Sequence, residues 1–368
     1  MIDFSEVTEI LYNNTLVEQI ADSHGNVLWS AAPVVLHNYF YVEDASGEAN
    51  TFRINKSNST PSYEVFGSTD QENWSSLGYT GDNIQVPLPA NSKLYIYVTR
   101  PHWHSESTMW EFDNIGCTGL FNVGGNIMSL LNGSNFEGTS FTSENWSPFS
   151  NLMQFQPVVD ASNLILPNNT VDYCYSSMFR NCESLTTPPA LPATTMTDYC
   201  YTTMFYGCTS LTTAPALPAT TLAQQCYNAM FGGCTSLTTA PELPATTLAQ
   251  NCYASMFGGC TSLTTAPSLP ATTLAQSCYA YMFGDCTSLT TAPTLPATTL
   301  VQGCYAYMFG DCTNLSTVTT YADNISASGC LDNWLYNVAS QGNFNNYGSA
   351  VYPSGASGIP TGWTEHNS

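Results

Sequence analysis

CYNAMFGGCTSLTTAPELPATTLAQN, Cys226 to Asn251, runs straight into CYASMFGGCTSLTTAPSLPATTLAQS, Cys252 to Ser277. The same 26-residue phrase, with few changes, recurs from Cys174 for six turns. A fixed period of this size specifies a solenoid, in which no coil buries its apolar face until a neighbour stacks on it. Such stacks mostly bind; they rarely catalyse.

The letters of one coil predict a helix and a strand. Leu222, Cys226 and Met230 fall at i, i+4 and i+8, joined by Ala223 and Phe231, which is the apolar stripe of a short amphipathic helix. Thr220 and Thr221 stand where caps belong, and Gly232 and Gly233 where a helix ends. The next segment, CTSLTTAP with Leu237, reads as a short strand, and the Pro241 to Pro244 turn breaks it before the following helix. Strands stacked about 4.8 Å apart would make six coils a slab on the order of 30 Å thick.

This unit resembles the BspA-like (Treponema-type) leucine-rich repeats. Met230, Phe231, Cys234, Leu237 and Pro241 match that family's Ala-Phe, Cys, Leu and Pro positions, and the likeness covers about Asn163 to Trp363. It departs in the methionine before the phenylalanine and in a coil longer than the family's usual one. The resemblance implies a surface adhesin or receptor-binding module, of the kind carried by bacterial surfaces and by phages of gut Bacteroidetes. It implies no reaction.

Composition agrees with that setting. Of 368 residues 27 are acidic and 5 basic, a formal net charge of −22, and all the basic ones lie between Arg53 and Arg180. Such a chain repels phosphate backbones, so nucleic acid is not an expected partner. Charged residues make up only 9% while Thr, Ser, Asn and Tyr abound, giving a neutral polar surface suited to sugars or sibling subunits. With 43% apolar residues the chain can still build cores, and membrane insertion is not expected.

Twelve of the 14 cysteines are repeat letters, eight apart within each coil, as at Cys174 and Cys182. No C-x-x-C pair and no histidine between Cys174 and Cys330 offers a zinc site. Each cysteine would have equivalent neighbours above and below, so disulfides could not pair uniquely. Free, buried thiols are expected, in keeping with assembly in a reducing compartment.

The stretch Met1 to Pro33 shows neither a basic n-region, nor an apolar h-region, nor an early lipobox cysteine, which favours a virion over an exported protein. Within it Leu16 to Trp29 reads as a hairpin turning at His24-Gly25-Asn26, a docking segment for other virion proteins. The alternating runs YFYVE, TFRI, SYEVF, IQVPL and KLYIYVTR then predict an antiparallel β-sandwich. FNVGGNIMSLL and FEGTSFTSENWSPF precede the repeats, and LDNWLYNVASQGNF with SGIPTGW follows them, as caps. The expected organisation is a docking segment at 1–32, a sandwich at 33–120, a cap at 121–173, six repeats at 174–329 and a second cap at 330–368. The fold class is thus an α/β repeat solenoid preceded by a β-sandwich.

Candidate sites follow from what differs between coils. The changing letters cluster after the Cys-Tyr pair, before the second cysteine, and between the prolines (Ala216, Glu242, Ser268, Thr294). Tyr281, Tyr307, Asp285 and Asp311 fall on consecutive late coils as an aromatic and acidic strip, with Tyr206 on an earlier one. The bland alternative is drift on a solvated face. In the sandwich Trp74, Tyr79 and Trp103 are a candidate sugar platform, against which stands ordinary packing. His102 and His104 with Glu106 lack a third assignable ligand, so no metal or cofactor is expected. The P-x-x-P spacing, as at Pro215 to Pro218, is in phase with the coil and reads as a turn.

Catalytic motifs are missing: there is no G-x-S-x-G, P-loop or H-E-x-x-H. Asp285 and Asp311 would stand in a row rather than face each other across a cleft. The expectation is a non-enzymatic virion appendage whose solenoid presents a recognition surface to a host-cell glycan or protein, with homo-oligomers open. Other classes remain: a purely structural tail or capsid component, a bacterial surface adhesin, and a polysaccharide depolymerase.

Overall fold

The structure, a computed structural model, describes residues 11–12, 15–16, 19–21, 27–30, 38–55, 63–79, 82–99, 114–136, 138–142 and 147–367. It divides into two compact units, Met1–Asn38 and Tyr39–Ser368. The first holds two antiparallel pairs: β1 (Leu11–Tyr12) with β2 (Thr15–Leu16), and β3 (Gln19–Ala21) with β4 (Val27–Ser30). The second pair is the hairpin read from the sequence; its turn at His24-Gly25-Asn26 lies outside the described residues.

The second unit opens with two sheets. One has the order β13-β12-β5-β10-β7-β8, from β5 (Phe40–Asp44), β7 (Glu64–Ser68), β8 (Ser75–Tyr79), β10 (Lys93–Thr99), β12 (Phe121–Asn126) and β13 (Asn163–Ile165). The other has the order β11-β6-β9, from β6 (Asn50–Ile54), β9 (Ile84–Leu88) and β11 (Ile115–Cys117). All neighbours are antiparallel except β12 and β13. Phe52, Ile54, Ile96 and Val98 alternate with half-buried neighbours, the period of two that one-sided burial imposes, and all four lie in the core. A single helical turn, α1 (Ser129–Asn132), packs on β10 through the Ser129 hydroxyl, which donates to the Ile96 carbonyl at 2.9 Å.

The sheet runs on into the repeats. Phe121 of β12 bridges Val158, Asp160 bridges Thr187, and the same column continues as Thr213 with Thr239, Thr239 with Thr265, and Thr291 with Thr317. It ends in a parallel sheet, β14 (Thr317–Thr320), β15 (Gly342–Asn346) and β16 (Trp363–Asn367). Within most coils the strand expected over CTSLTTAP shrinks to one bridging threonine. The proline that follows removes the next donor, so longer pairing cannot form there.

The expected helix in each coil is not there; successive β-turns take its place. Gln225, Ala229 and Gly233 have φ of 53°, 48° and 72°, a left-handed residue at every fourth position, which no α-helix accommodates. Amides of Gln225, Tyr227, Ala229, Phe231 and Gly233 donate to carbonyls of the next coil at 2.7–3.0 Å. The intervening amides, from Cys226 to Cys234, donate three residues back at 3.0–3.4 Å, closing turns. Half of the donors are therefore spent between coils instead of along a helix. Thr221, expected as a cap, bridges Thr195 and Thr247 instead, and Gly233 is the last of three left-handed positions rather than a helix terminator. The same turn segment begins at Ser147, one coil before the first repeat, and recurs after the last, at Gly329 to Asn337.

Stacked coils build their core from identical letters. Tyr175, Tyr201, Tyr227, Tyr253, Tyr279 and Tyr305 are buried and lie ring on ring at 5.5–6.1 Å. Phe179 to Phe309 form a second column at 5.6–5.8 Å. Phe149 extends the tyrosine column at one end, at 6.2 Å, and Trp334 at the other, at 6.4 Å, with Tyr352 stacked on Trp334 in turn at 6.1 Å. All fourteen cysteines are free and buried. The second thiol of each coil donates to a carbonyl of the coil before: Cys182 to Met153 at 3.0 Å, and the later ones to a phenylalanine, as Cys234 to Phe205 at 3.1 Å. Burial pushes the thiols of Cys182, Cys200, Cys260 and Cys312 up to about 12.

Candidate functional site

The turn segments put three columns of left-handed residues along one edge of the stack. Asparagine, aspartate and glycine tolerate that conformation best, which is why Asn181, Gly207, Gly233, Gly259, Asp285 and Asp311 follow one another in the third column. The second column reads Ser177, Thr203, Ala229, Ser255, Tyr281, Tyr307 and Asn333. Small residues thus give way to tyrosine on two adjacent late coils. A bulky residue at φ of 57° (Tyr281) or 53° (Tyr307) is strained, roughly 1–3 kcal/mol each, and such strain clusters at functional positions.

These residues form a connected strip. The Tyr281 and Tyr307 rings are 6.4 Å apart and tilted by 41°. The Tyr281 hydroxyl donates to Asp285 Oδ2 at 2.6 Å, and this bond to a carboxylate, with burial, holds the phenol up at about 12. On the last coils Asn333 Nδ2 donates to the Tyr307 hydroxyl and Asn337 Nδ2 to Asp311 Oδ1, both at 2.8 Å. Tyr307 is 43% exposed, and Tyr336, whose carbonyl accepts from the Asp311 amide at 2.8 Å, is 50% exposed. Asn333, Asn337 and Tyr336 were not singled out in the sequence, although the two asparagines sit 26 residues after Tyr307 and Asp311. The repeat spacing alone pairs them.

Other candidates lie elsewhere. Tyr206 is two residues before its cysteine, so it stands in the column of Gly232, Gly258, Gly284 and Gly310 and not with Asp285 and Asp311. Its ring is exposed, with the Arg180 guanidinium 5.1 Å from its centre. Trp74 turns inward against Tyr39 and Tyr97, each at 4.6 Å, and its indole donates to the Gln71 carbonyl. Tyr79 is 49% exposed at the end of β8. Trp103, His102, His104 and Glu106 lie outside the described residues. At the first column Tyr173 and Tyr199 stack at 4.5 Å with rings nearly parallel, a pair the sequence reading passed over. Ala216, Glu242, Ser268 and Thr294 are exposed between their prolines, and a shallow groove of about 630 Å³ runs beside Thr187, Pro192, Pro215 and Pro218.

Among the described residues no helix is long and apolar enough to cross a membrane. Six copies of the BspA type leucine-rich repeat region match over residues 153–254 and 203–332, and that family suggests a surface or adhesion-type protein. No curated protein and no solved structure matches the chain. By the period of its coils, the residues that fill them and the family model that fits them, this is a BspA-like leucine-rich repeat protein.

Proposed function

We propose that the chain is a non-enzymatic recognition module, an appendage of a virion, that holds a glycan or protein of the host-cell surface against the turn edge of its late coils. The observation that carries this reading is the strained pair Tyr281 and Tyr307 beside Asp285 and Asp311. Most core letters repeat from coil to coil, while the second and third left-handed columns change from small residues to tyrosine and aspartate on the late coils. An exposed ring, Tyr307, and a half-buried one, Tyr281, beside fixed carboxylates and amides are the kind of anchors that interfaces use. Asp285 and Asp311 are each engaged, by the Tyr281 hydroxyl and the Asn337 amide, which suits hydrogen-bond recognition better than an acid and base pair.

Buried free thiols in every coil support assembly in a reducing compartment, as a virion protein would undergo. A separate compact unit at Met1–Asn38 supports docking to other particle proteins through that end. Nucleic acid is not a partner in this reading, given 5 basic residues against 27 acidic. Gold-labelled antibodies against the repeat segment test it on purified particles and on host cells. Labelled particles whose adsorption the antibody blocks are expected; label confined to the bacterial envelope would replace the virion appendage by an adhesin.

A further inference from the structure

The parallel sheet that ends the stack carries a second surface, on the face opposite its core. Val318, Thr320, Phe344, Asn346 and Trp363 point inward and are buried. The alternate residues point outward, with Thr319 beside Asn345 beside His366 in a row fixed by the strand register, and just past the ends of β14 and β15 come Tyr321 and Tyr347, 26 residues apart. The two tyrosine rings lie 5.4 Å apart at 50°, and they stay 41% and 46% exposed. Asn345 Nδ2 donates to Thr319 Oγ1 at 3.1 Å, and His366 Nε2 shares a hydrogen with Asn343 Oδ1 at 3.0 Å. The amides are therefore held in place before any ligand arrives, on strands, where geometry is firmest.

We infer that this face binds an uncharged glycan, with a sugar ring laid on Tyr321 and Tyr347 and its hydroxyls bonded to the Thr319, Asn345 and His366 row. A hexopyranose offers an apolar C–H face and a rim of hydroxyls, and the two kinds of surface stand side by side here in the same order. Tyrosine supplies a large apolar contact at little entropic expense, and an amide both donates and accepts, as a hydroxyl requires. Asp323 lies just beyond Tyr321, kept ionised by the Ser349 amide and hydroxyl at 2.8 Å, and no Lys or Arg follows Arg180 in the chain. An acidic polysaccharide would meet repulsion without a compensating cation, so the ligand is neutral. The site is separate from the Tyr281 and Tyr307 strip, and each stands or falls by its own variant.

Native gels cast with a soluble β-glucan, a mannan, a galactan or polygalacturonate test the inference on the full chain. Retardation by at least one neutral polymer is expected, insensitive to added salt. Tyr321→Ala/Tyr347→Ala should weaken it about tenfold or more, whereas Tyr321→Phe/Tyr347→Phe keeps the rings and should retain it. Thermal unfolding of each variant checks that the fold survives. No retardation by any neutral polymer, retardation by polygalacturonate alone, or undiminished binding by a folded Tyr321→Ala/Tyr347→Ala chain would overturn the inference and leave the cell-binding strip untouched.

Discussion

Replacing Ala229 by glycine separates a turn ribbon from a helix by the sign of its effect. Ala229 sits at φ of 48°, and its amide donates to the Ala254 carbonyl of the next coil at 2.8 Å. An alanine held in the left-handed region is disfavoured by roughly 1–2 kcal/mol, which glycine relieves. Glycine also loosens the unfolded chain, which takes back about 0.4–1 kcal/mol. The net expectation for Ala229→Gly is a gain of about 0.5–1 kcal/mol. Were Cys226 to Gly233 helical, the same change would lose about 1 kcal/mol. Urea unfolding of the full chain, followed by tyrosine and tryptophan fluorescence, reads the difference as a shift of midpoint at constant slope. A midpoint that falls would refute the turn architecture.

Three further outcomes follow from the stacked core and the edge. The Tyr175 and Tyr201 hydroxyls are buried without a hydrogen-bond partner, so Tyr201→Phe should hold or raise stability, by up to about 1 kcal/mol, while Tyr201→Ala should lose about 3–5 kcal/mol. A loss above about 1 kcal/mol for the phenylalanine variant, again in urea, would show a partner for that hydroxyl. The buried thiols keep their protons in the fold to about 12, while unfolded cysteine loses its proton near 8.5, so the fold binds more protons than the unfolded chain above that pH. The thiol contribution should therefore be flat below about pH 8, and stability should decline from about pH 9 to 12, and a thiol reagent near neutral pH should label the repeat cysteines only after denaturation; a level alkaline profile or prompt native labelling would contradict the packing. Asp285→Asn should bring the Tyr281 phenol down from about 12 toward the ordinary tyrosine range, seen by NMR of ring-labelled protein, and an unmoved titration would mean that the carboxylate is not its partner.

Much of the coil was legible in its letters. Period, core residues, bridging threonines and the late tyrosine and aspartate pairs all come from repetition, which compares each position with itself. The helix was misread because Leu222, Cys226, Met230 and Cys234 repeat at four rather than 3.6. Four residues of α-helix overshoot a full turn by about 40°, so a helix would carry that series off its buried face within three steps. Here it stays buried throughout, with Tyr227 and Phe231 beside it. The stronger clue was chemical: asparagine, aspartate or glycine in one column of successive coils marks a left-handed backbone. The continuity of β12 with the repeat ladder through Val158 and Asp160 could not be read, since bridges of one or two residues leave no alternation. Tyr321 and Tyr347 escaped for a related reason. The last coils depart from the 26-residue phrase, so nothing in the repeated letters marked these two tyrosines, although they stand one period of 26 residues apart.

The central claim is that the late edge of the stack is a recognition surface. Its most direct test is saturable binding of the labelled full chain to intact cells of candidate gut Bacteroidetes, with and without their capsule, against Tyr281→Ala/Tyr307→Ala. Saturable binding to a susceptible strain, lost in the folded variant, is the predicted result; binding that the variant retains in full, or no binding to any strain, would contradict it.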